Sequence, residues 1–268
     1  RHDGAVFDVN GRLAFSTDSY VVSPLFFAGG NIGDLAVNGT VNDLAMCGAM
    51  AKYLSLSFIL EEGLPMTQFW EILQTIRQAA DQAGVQIVTG DTKVVERGKG
   101  DGIFLNTSGI GIVHPQAAMG WTALQPGDKI ILNAPIAAHG IAIMSRRSGL
   151  DFETDVLSDT APVHRAVEAL LNAFGSQIHF LRDATRGGVA SVTNEIAADG
   201  KVGIELWQKH ISVAEQVAGA CEMLGLDPLY VANEGVFVAI VATEVADAAC
   251  ALLQANGWPK ASIAGEVN

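Results

Sequence analysis

Little in this chain points to covalent cross-links, a membrane span or a ready-made nucleotide loop. Its three cysteines, Cys47, Cys221 and Cys250, lie far apart in 268 residues. An odd, scattered set builds no disulfide framework and no CxxC zinc site, and it suits a reducing cytoplasm. No apolar run approaches the length of a membrane span, so no membrane partner is expected. Basic residues are also few: 16 Lys and Arg stand against 29 Asp and Glu, giving a formal charge of −13 and a pI near 4.7. With no Lys/Arg cluster to offset that charge, non-specific nucleic-acid binding is excluded. An anionic nucleotide can still bind where cations restore the local balance.

Several catalytic signatures are missing as well. There is no GxxxxGK[ST] loop, no GxSxG elbow and no HExxH helix. Gly109-Ile110-Gly111 lacks both the third glycine and the following helix of a dinucleotide fold. The six histidines are scattered without ligand spacing; His139, beside Gly140 at an expected strand-to-helix turn, is the one that stands out.

What is present is a well-packed α/β composition, 49% apolar and 17% charged, long enough for two domains. The central stretch is Gly29-Gly30-Asn31-Ile32-Gly33 followed by a helix of small side chains through Ala49. Asp34, Asn38 and Asn42 recur at i, i+4, i+8 and share a face, and Asp43 precedes the apolar Leu44-Ala45-Met46. Two readings fit: a polar face in water, or a close-packed helix that holds Asp43 beside a cation. Before it, a short strand ends at Asp18, which suits either a turn or a charge presented at a sheet edge. After it come a buried strand over 52–60, a helix over 65–83, and a strand over 85–89 that Gly90-Asp91-Thr92-Lys93 breaks. A last strand over 103–113 completes this half.

Residues 114–128, with Pro115, Gly120, Pro126 and Gly127, read as the linker. The second half again alternates strands and helices, with an acidic loop over 149–161 and a helix over 162–174. A short strand then runs into Arg182-Asp183-Ala184-Thr185-Arg186-Gly187-Gly188, where a helix N-terminus exposes amides to an anion. Asn233-Glu234-Gly235 precedes a later strand, and a helix over 245–255 leads to a short tail. The chemistry left is a set of isolated aspartates at element ends: Asp18, Asp43, Asp91 and Asp183. Hard cations such as Mg²⁺ take such oxygens together with water and phosphate.

These segments resemble the PurM-like ATP-dependent superfamily of aminoimidazole ribonucleotide synthetase and selenophosphate synthetase. The matching blocks are Val41-Asn42-Asp43 through Gly48-Ala49, Gly90-Asp91-Thr92 and Asp183-Ala184-Thr185-Arg186-Gly187-Gly188. Ser16-Thr17-Asp18, Gly29 to Gly33, Phe58 to Pro65, Thr89 to Val95 and Asn233-Glu234-Gly235 are most similar to the branch that serves [NiFe]-hydrogenase maturation. The resemblance implies a two-domain α/β (α+β) fold, with a dimerising mixed or antiparallel sheet domain over 1–118 and an α/β domain over 119–268. It implies an ATP- and Mg²⁺-dependent dehydratase that turns a cysteine-bound carboxamide into a thiocyanate. Asp18, Asp43, Asp91 and Asp183 would hold metal and phosphate, and Asn31, Asn42, Asp91, Thr92, Gly187 and Gly188 the nucleotide. Glu234 would be the base and Lys93 would either neutralise phosphate charge or tune that glutamate through a short ion pair, while Asp34 is left as a solvated face residue and the cysteines as core residues. The implied partners are a second copy of the chain, a carbamoyltransferase and a scaffold complex that receives the cyanide. Relatives end in a cysteine on a flexible tail, so a chain running from Arg1 to Asn268 is expected to be trimmed at both ends. Two other readings stay open: a related kinase for selenide, thiamine phosphate or a purine precursor, and a non-catalytic docking module.

Overall fold

The computed structural model describes residues 4–148 and 156–268. Part of the expected acidic loop, 149–155, lies outside them. Strands β1 (Leu13–Tyr20), β4 (Ala49–Glu61), β5 (Gln86–Val95) and β6 (Ile103–Val113) form one sheet in the order β1-β6-β4-β5. Only β4 and β5 are parallel; the rest of the sheet is antiparallel. The two-residue strands β2 (Phe26–Phe27) and β3 (Gly30–Asn31) make a separate hairpin ahead of helix α1 (Ile32–Met46). Helices α1 and α2 (Met66–Ala83) cover one face of this sheet, where Leu54, Leu56, Phe58, Ile103 and Leu105 are buried.

The second sheet is antiparallel throughout, in the order β8-β10-β7-β11-β9. Its strands are β7 (Lys129–Leu132), β8 (Ile178–Asp183), β9 (Ile204–Leu206), β10 (Phe237–Val241) and β11 (Ser262–Val267). Alternate residues of β10 enter two different cores, Phe237, Ala239 and Val241 on one side and Val238 and Ile240 on the other. Helices α4 (His164–Phe174) and α7 (Ala246–Ala255) close the first side; α3 (Ala138–Ser148), α5 (Gly188–Gly200) and α6 (Glu215–Leu224) close the second. Buried on both faces, β10 carries no polar residue, as a strand between two helical layers requires.

Two expectations about elements are corrected. Gly90-Asp91-Thr92-Lys93 does not interrupt its strand, because β5 runs unbroken through it, paired with Leu56 to Ile59. A Cβ on Gly90 would collide with the Leu56 carbonyl, so this glycine answers a close approach of two strands rather than a turn. The short tail is likewise a strand: β11 inserts between β7 and β9, one strand in from the edge of the second sheet.

Helix α1 joins the halves, touching β1, β4, β6 and α2 on one side and α4 and β8 on the other. Its start is a capping box: Asn31 Oδ1 accepts from the Gly33 N–H at 2.7 Å, and Asp34 Oδ2 accepts from the Asn31 N–H at 2.8 Å. Asp34 is therefore a cap rather than a solvated residue, and burial raises its carboxyl pKa to about 6. The stripe of Asp34, Asn38 and Asn42 exists, but protein covers it instead of water. Asn38 Nδ2 donates to Thr160 Oγ1, Asn42 Nδ2 donates to the Ala161 carbonyl, and Asn42 Oδ1 accepts from the Val163 N–H. Among the described residues, no helix is long and apolar enough to cross a membrane.

Candidate active site

Three of the expected aspartates meet where the two halves face each other. Asp18 comes from β1, Asp43 from the last turn of α1 and Asp183 from the end of β8. Ser16 Oγ donates to Asp43 Oδ2 at 2.7 Å and fixes that carboxylate. Burial raises the Asp43 pKa, and the neighbouring Asp18 raises it further. Burial and then Asp43 lift Asp183 to about 6. Carboxylates pressed together in this way store repulsion that a bound cation relieves. Among the described residues, however, no three His, Cys, Asp or Glu side chains converge closely enough to enclose an ion unaided.

The aspartates form a shared wall between two cavities of about 570 and 600 Å³, joined in it by Thr185 and Arg186. The first cavity is bounded by Arg12, Cys47, Met119 and Arg182, and Arg182 pairs with Glu195 at 2.7 Å. Cys47 is not a core residue as expected: it caps the C-terminus of α1 and is exposed. The second cavity contains Tyr20, His139, Gly187 and Glu234. Gly187 lies on its wall, at the N-terminus of α5, where free amides and the helix dipole favour an anion. Gly188 instead serves packing, since a Cβ there would come within 2.6 Å of the Val231 carbonyl.

Glu234 is the most constrained residue of the site. Its N–H donates to Asp159 Oδ1 at 3.0 Å, and its carbonyl accepts from Asn42 Nδ2 at 3.3 Å. On one side Asn233 takes the Ala137 N–H on Oδ1 and donates to the Ala184 carbonyl, both at 2.7 Å. On the other, Asn133 donates to the Gly235 carbonyl and accepts from the Phe237 N–H. The backbone is thus held by four polar side chains while the carboxyl projects into the cavity. Burial, then Asp159 and Asp183, raise the Glu234 pKa well above that of an ordinary glutamate.

The remaining site residues are elsewhere. Asp91 and Lys93 pair at 2.7 Å on the exposed edge strand β5, and the ammonium keeps the Asp91 carboxyl below its usual pKa. Neither they nor Thr92 lines the two cavities that hold the other aspartates and Glu234. Asn31 is spent on capping α1 and on Thr75, to which its Nδ2 donates at 2.8 Å. Asn42 braces the Glu234 turn rather than facing the cavity. Missed altogether were Asn133 and the segment Ser158-Asp159-Thr160, whose only sequence signal, polar residues in a loop, is shared by any surface turn.

Comparison with known proteins agrees along nearly the whole chain. Residues 1–113 match the family model for the AIR synthase related protein, N-terminal domain, and residues 125–268 its C-terminal domain. The chain is 50% identical to the carbamoyl dehydratase HypE of Rhizobium leguminosarum bv. viciae over 256 residues, 95% of this chain and 73% of that one. A crystal structure of hydrogenase maturation protein HypE in complex with ATP superposes with a TM-score of 0.96 at 47% identity, covering 99% of this chain and 79% of the other. A HypE–HypF complex gives 0.94 at 44% identity, covering 99% and 87%.

Proposed function

The chain belongs to the AIR synthase related family, in its HypE branch, and from this premise we propose that it is an ATP-dependent carbamoyl dehydratase of hydrogenase maturation. The observation that carries the reading is the pairing of a buried, backbone-locked Glu234 with the Asp18, Asp43 and Asp183 wall in one cavity. An amide oxygen is a poor leaving group, and transfer of the γ-phosphoryl makes it a good one. The carboxamide oxygen attacks phosphorus, ADP leaves, and one N–H proton is lost as C=N forms. The second N–H proton is lost as the C–O bond breaks, giving the C≡N of a thiocyanate, and the phosphate departs as HPO₄²⁻. Glu234 is the group placed to take those protons. The α5 N-terminus with Thr185 and Gly187 receives the phosphates. Mg²⁺ fits the aspartate set, because hard oxygen ligands few in number leave room for water and phosphate, and when bound it neutralises phosphoryl charge.

A homodimer accounts for the residues that the single chain leaves outside the site. Among the described residues no helix covers the face of the first sheet turned away from α1, where Phe7 stacks on Tyr53 and Phe15 is 68% and Ile59 43% exposed. Pairing of two such faces would carry Asp91, Thr92 and Lys93 of one protomer towards the nucleotide of the other. The break in regular structure between β6 and β7 supports a domain junction at 118/119. The carbamoyltransferase HypF and a HypC–HypD scaffold are the partners this function requires.

The test is intact-mass spectrometry of the full-length protein, S-carbamoylated on its terminal cysteine and given Mg·ATP. Loss of one water is expected, with turnover reduced about 10²-fold or more in Glu234→Gln. ATP consumption with the carbamoylated mass unchanged would overturn the reading in favour of a small-molecule acceptor.

A further inference from the structure

The wall and the acid of the larger cavity come from different halves of the molecule. Asp18 and Asp43 stand on the first half and Glu234 on the second. The amide oxygen that takes the phosphoryl group and the nitrogen that gives up its protons share one carbon. A misplacement of about 1 Å between the wall and Glu234 can therefore cost about 10²-fold in rate.

A short irregular segment, 158–163, is laced to both halves. On the first, the Ser158 N–H donates to the Ala28 carbonyl at 2.8 Å, and Thr160 Oγ1 accepts from Asn38 Nδ2. On the second, Asp159 Oδ1 accepts from the Glu234 N–H at 3.0 Å. Glycines admit the segment from either side. A Cβ on Gly29, at φ 94°, would come within 2.8 Å of the Ser158 nitrogen, and one on Gly235 would run into the Asp159 carbonyl. Asn42 makes the closing contacts: Oδ1 accepts from the Val163 N–H at 2.9 Å, and Nδ2 donates to the Ala161 carbonyl at 3.0 Å. The same Nδ2 reaches past the segment to the Glu234 carbonyl at 3.3 Å. Both amide hydrogens are spent inside the protein, so Asn42, 3% exposed, has no donor left for a nucleotide. It is next in sequence to Asp43. One side chain thus ties the turn of α1 that carries Asp43 to the turn that carries Glu234.

We propose, resting on the dehydratase reading, that Asn42 is a positioning residue that holds Glu234 in register with the aspartate wall, directly and through segment 158–163, so that the phosphoryl group goes to the amide oxygen and not to water. In register, the amide oxygen attacks phosphorus and ADP leaves. Out of register, a water oxygen takes its place. The new O–P bond forms as the bond to ADP breaks, a water proton goes to solvent, and phosphate departs with the carboxamide unchanged. An asparagine that only stabilised the fold would lower ADP formation and water loss together.

The experiment measures ADP formed per water lost in the full-length carbamoylated protein with Mg·ATP. Wild type, Asn42→Ala and Thr160→Val are compared, with ATP affinity and melting temperature measured in parallel. Asp128→Asn is the control for lost stability: Asp128 accepts from the Gln125 N–H and contacts His179 just before β7. There β7 meets Val241, the opposite end of β10 from the Glu234 turn. Wild type and the control should form about one ADP per water lost, as one phosphoryl transfer per amide requires. In Asn42→Ala, water loss should slow about tenfold or more and the ratio should rise to about five or more, with ATP affinity within about twofold. Thr160→Val should raise the ratio by less. A ratio of about one in Asn42→Ala, or in Thr160→Val where Asn42→Ala does not fold, overturns the proposal. So does an ATP affinity that falls in step with the rate, which would put Asn42 on the nucleotide. Wild type that consumes ATP and loses no water would instead overturn the dehydratase reading itself.

Discussion

The Glu234 turn and the β5 edge carry the same kinds of residue and have opposite surroundings. At the turn, Asp159 holds the Glu234 N–H, Asn42 its carbonyl and Asn133 the Gly235 carbonyl, and burial raises the acid's pKa. At the edge, Asp91 and Lys93 are more than half exposed and pair with each other, and the pairing lowers the acid's pKa. A single chain needs the first region to build a base. It has no internal use for the second, since an exposed ion pair contributes little to stability. In the homodimer proposed above, β5 serves the partner's site rather than its own.

That conclusion can be broken by mixing subunits. Lys93→Ala and Glu234→Gln are each expected to be inactive alone. If Lys93 serves the partner's site, a mixed dimer regains one complete site, and random pairing returns about a quarter of wild-type turnover. If Lys93 serves its own chain, no mixed dimer contains an intact site and nothing is recovered. Water loss in the remixed sample distinguishes the two.

The turn can be tested through its scaffold. Asn233 is fully buried, and its loss leaves the Ala137 N–H without an acceptor beside a strained backbone. Asn233→Ala should lower unfolding stability by about 2–4 kcal/mol, read from denaturant melts. Asp91→Asn, on the exposed edge, should change it by less than about 0.5 kcal/mol.

How much of this was legible in the sequence follows the same division. Asp18, Asp43, Asp183 and Glu234 were legible because each ends or precedes a regular element inside a recognisable block. Asp91, Thr92 and Lys93 formed an equally clear block, yet spacing along a chain does not tell which edge of a sheet a strand will occupy. The i, i+4, i+8 stripe of α1 was seen and its cover was not. The cover is the irregular segment 156–163, which has no periodicity to read, and its acid looked like one made for water. Asp34 was misjudged for the same reason: a capping carboxylate and a solvated one are the same letter.

Asp159 offers the smallest and sharpest test of that difference. Its Oδ1 accepts from the Glu234 N–H, while Oδ2 is buried without a partner, and burial raises the pKa to about 6. An acid whose pKa is higher in the folded state binds its proton more tightly there. It therefore destabilises the fold once ionised, fully above about pH 6 and not at all below the unfolded value of 3.8. Asp159→Asn keeps the acceptor for Glu234 and removes the charge. At pH 8 it should stabilise the protein by about 1–2 kcal/mol, against a ceiling near 3 kcal/mol from a shift of that size. At pH 4 the gain should vanish, while Asp91→Asn shows no gain at either pH. A stabilisation independent of pH would mean that the Asp159 charge is not what the fold resists, and the contrast between buried and exposed carboxylates would lose its electrostatic basis.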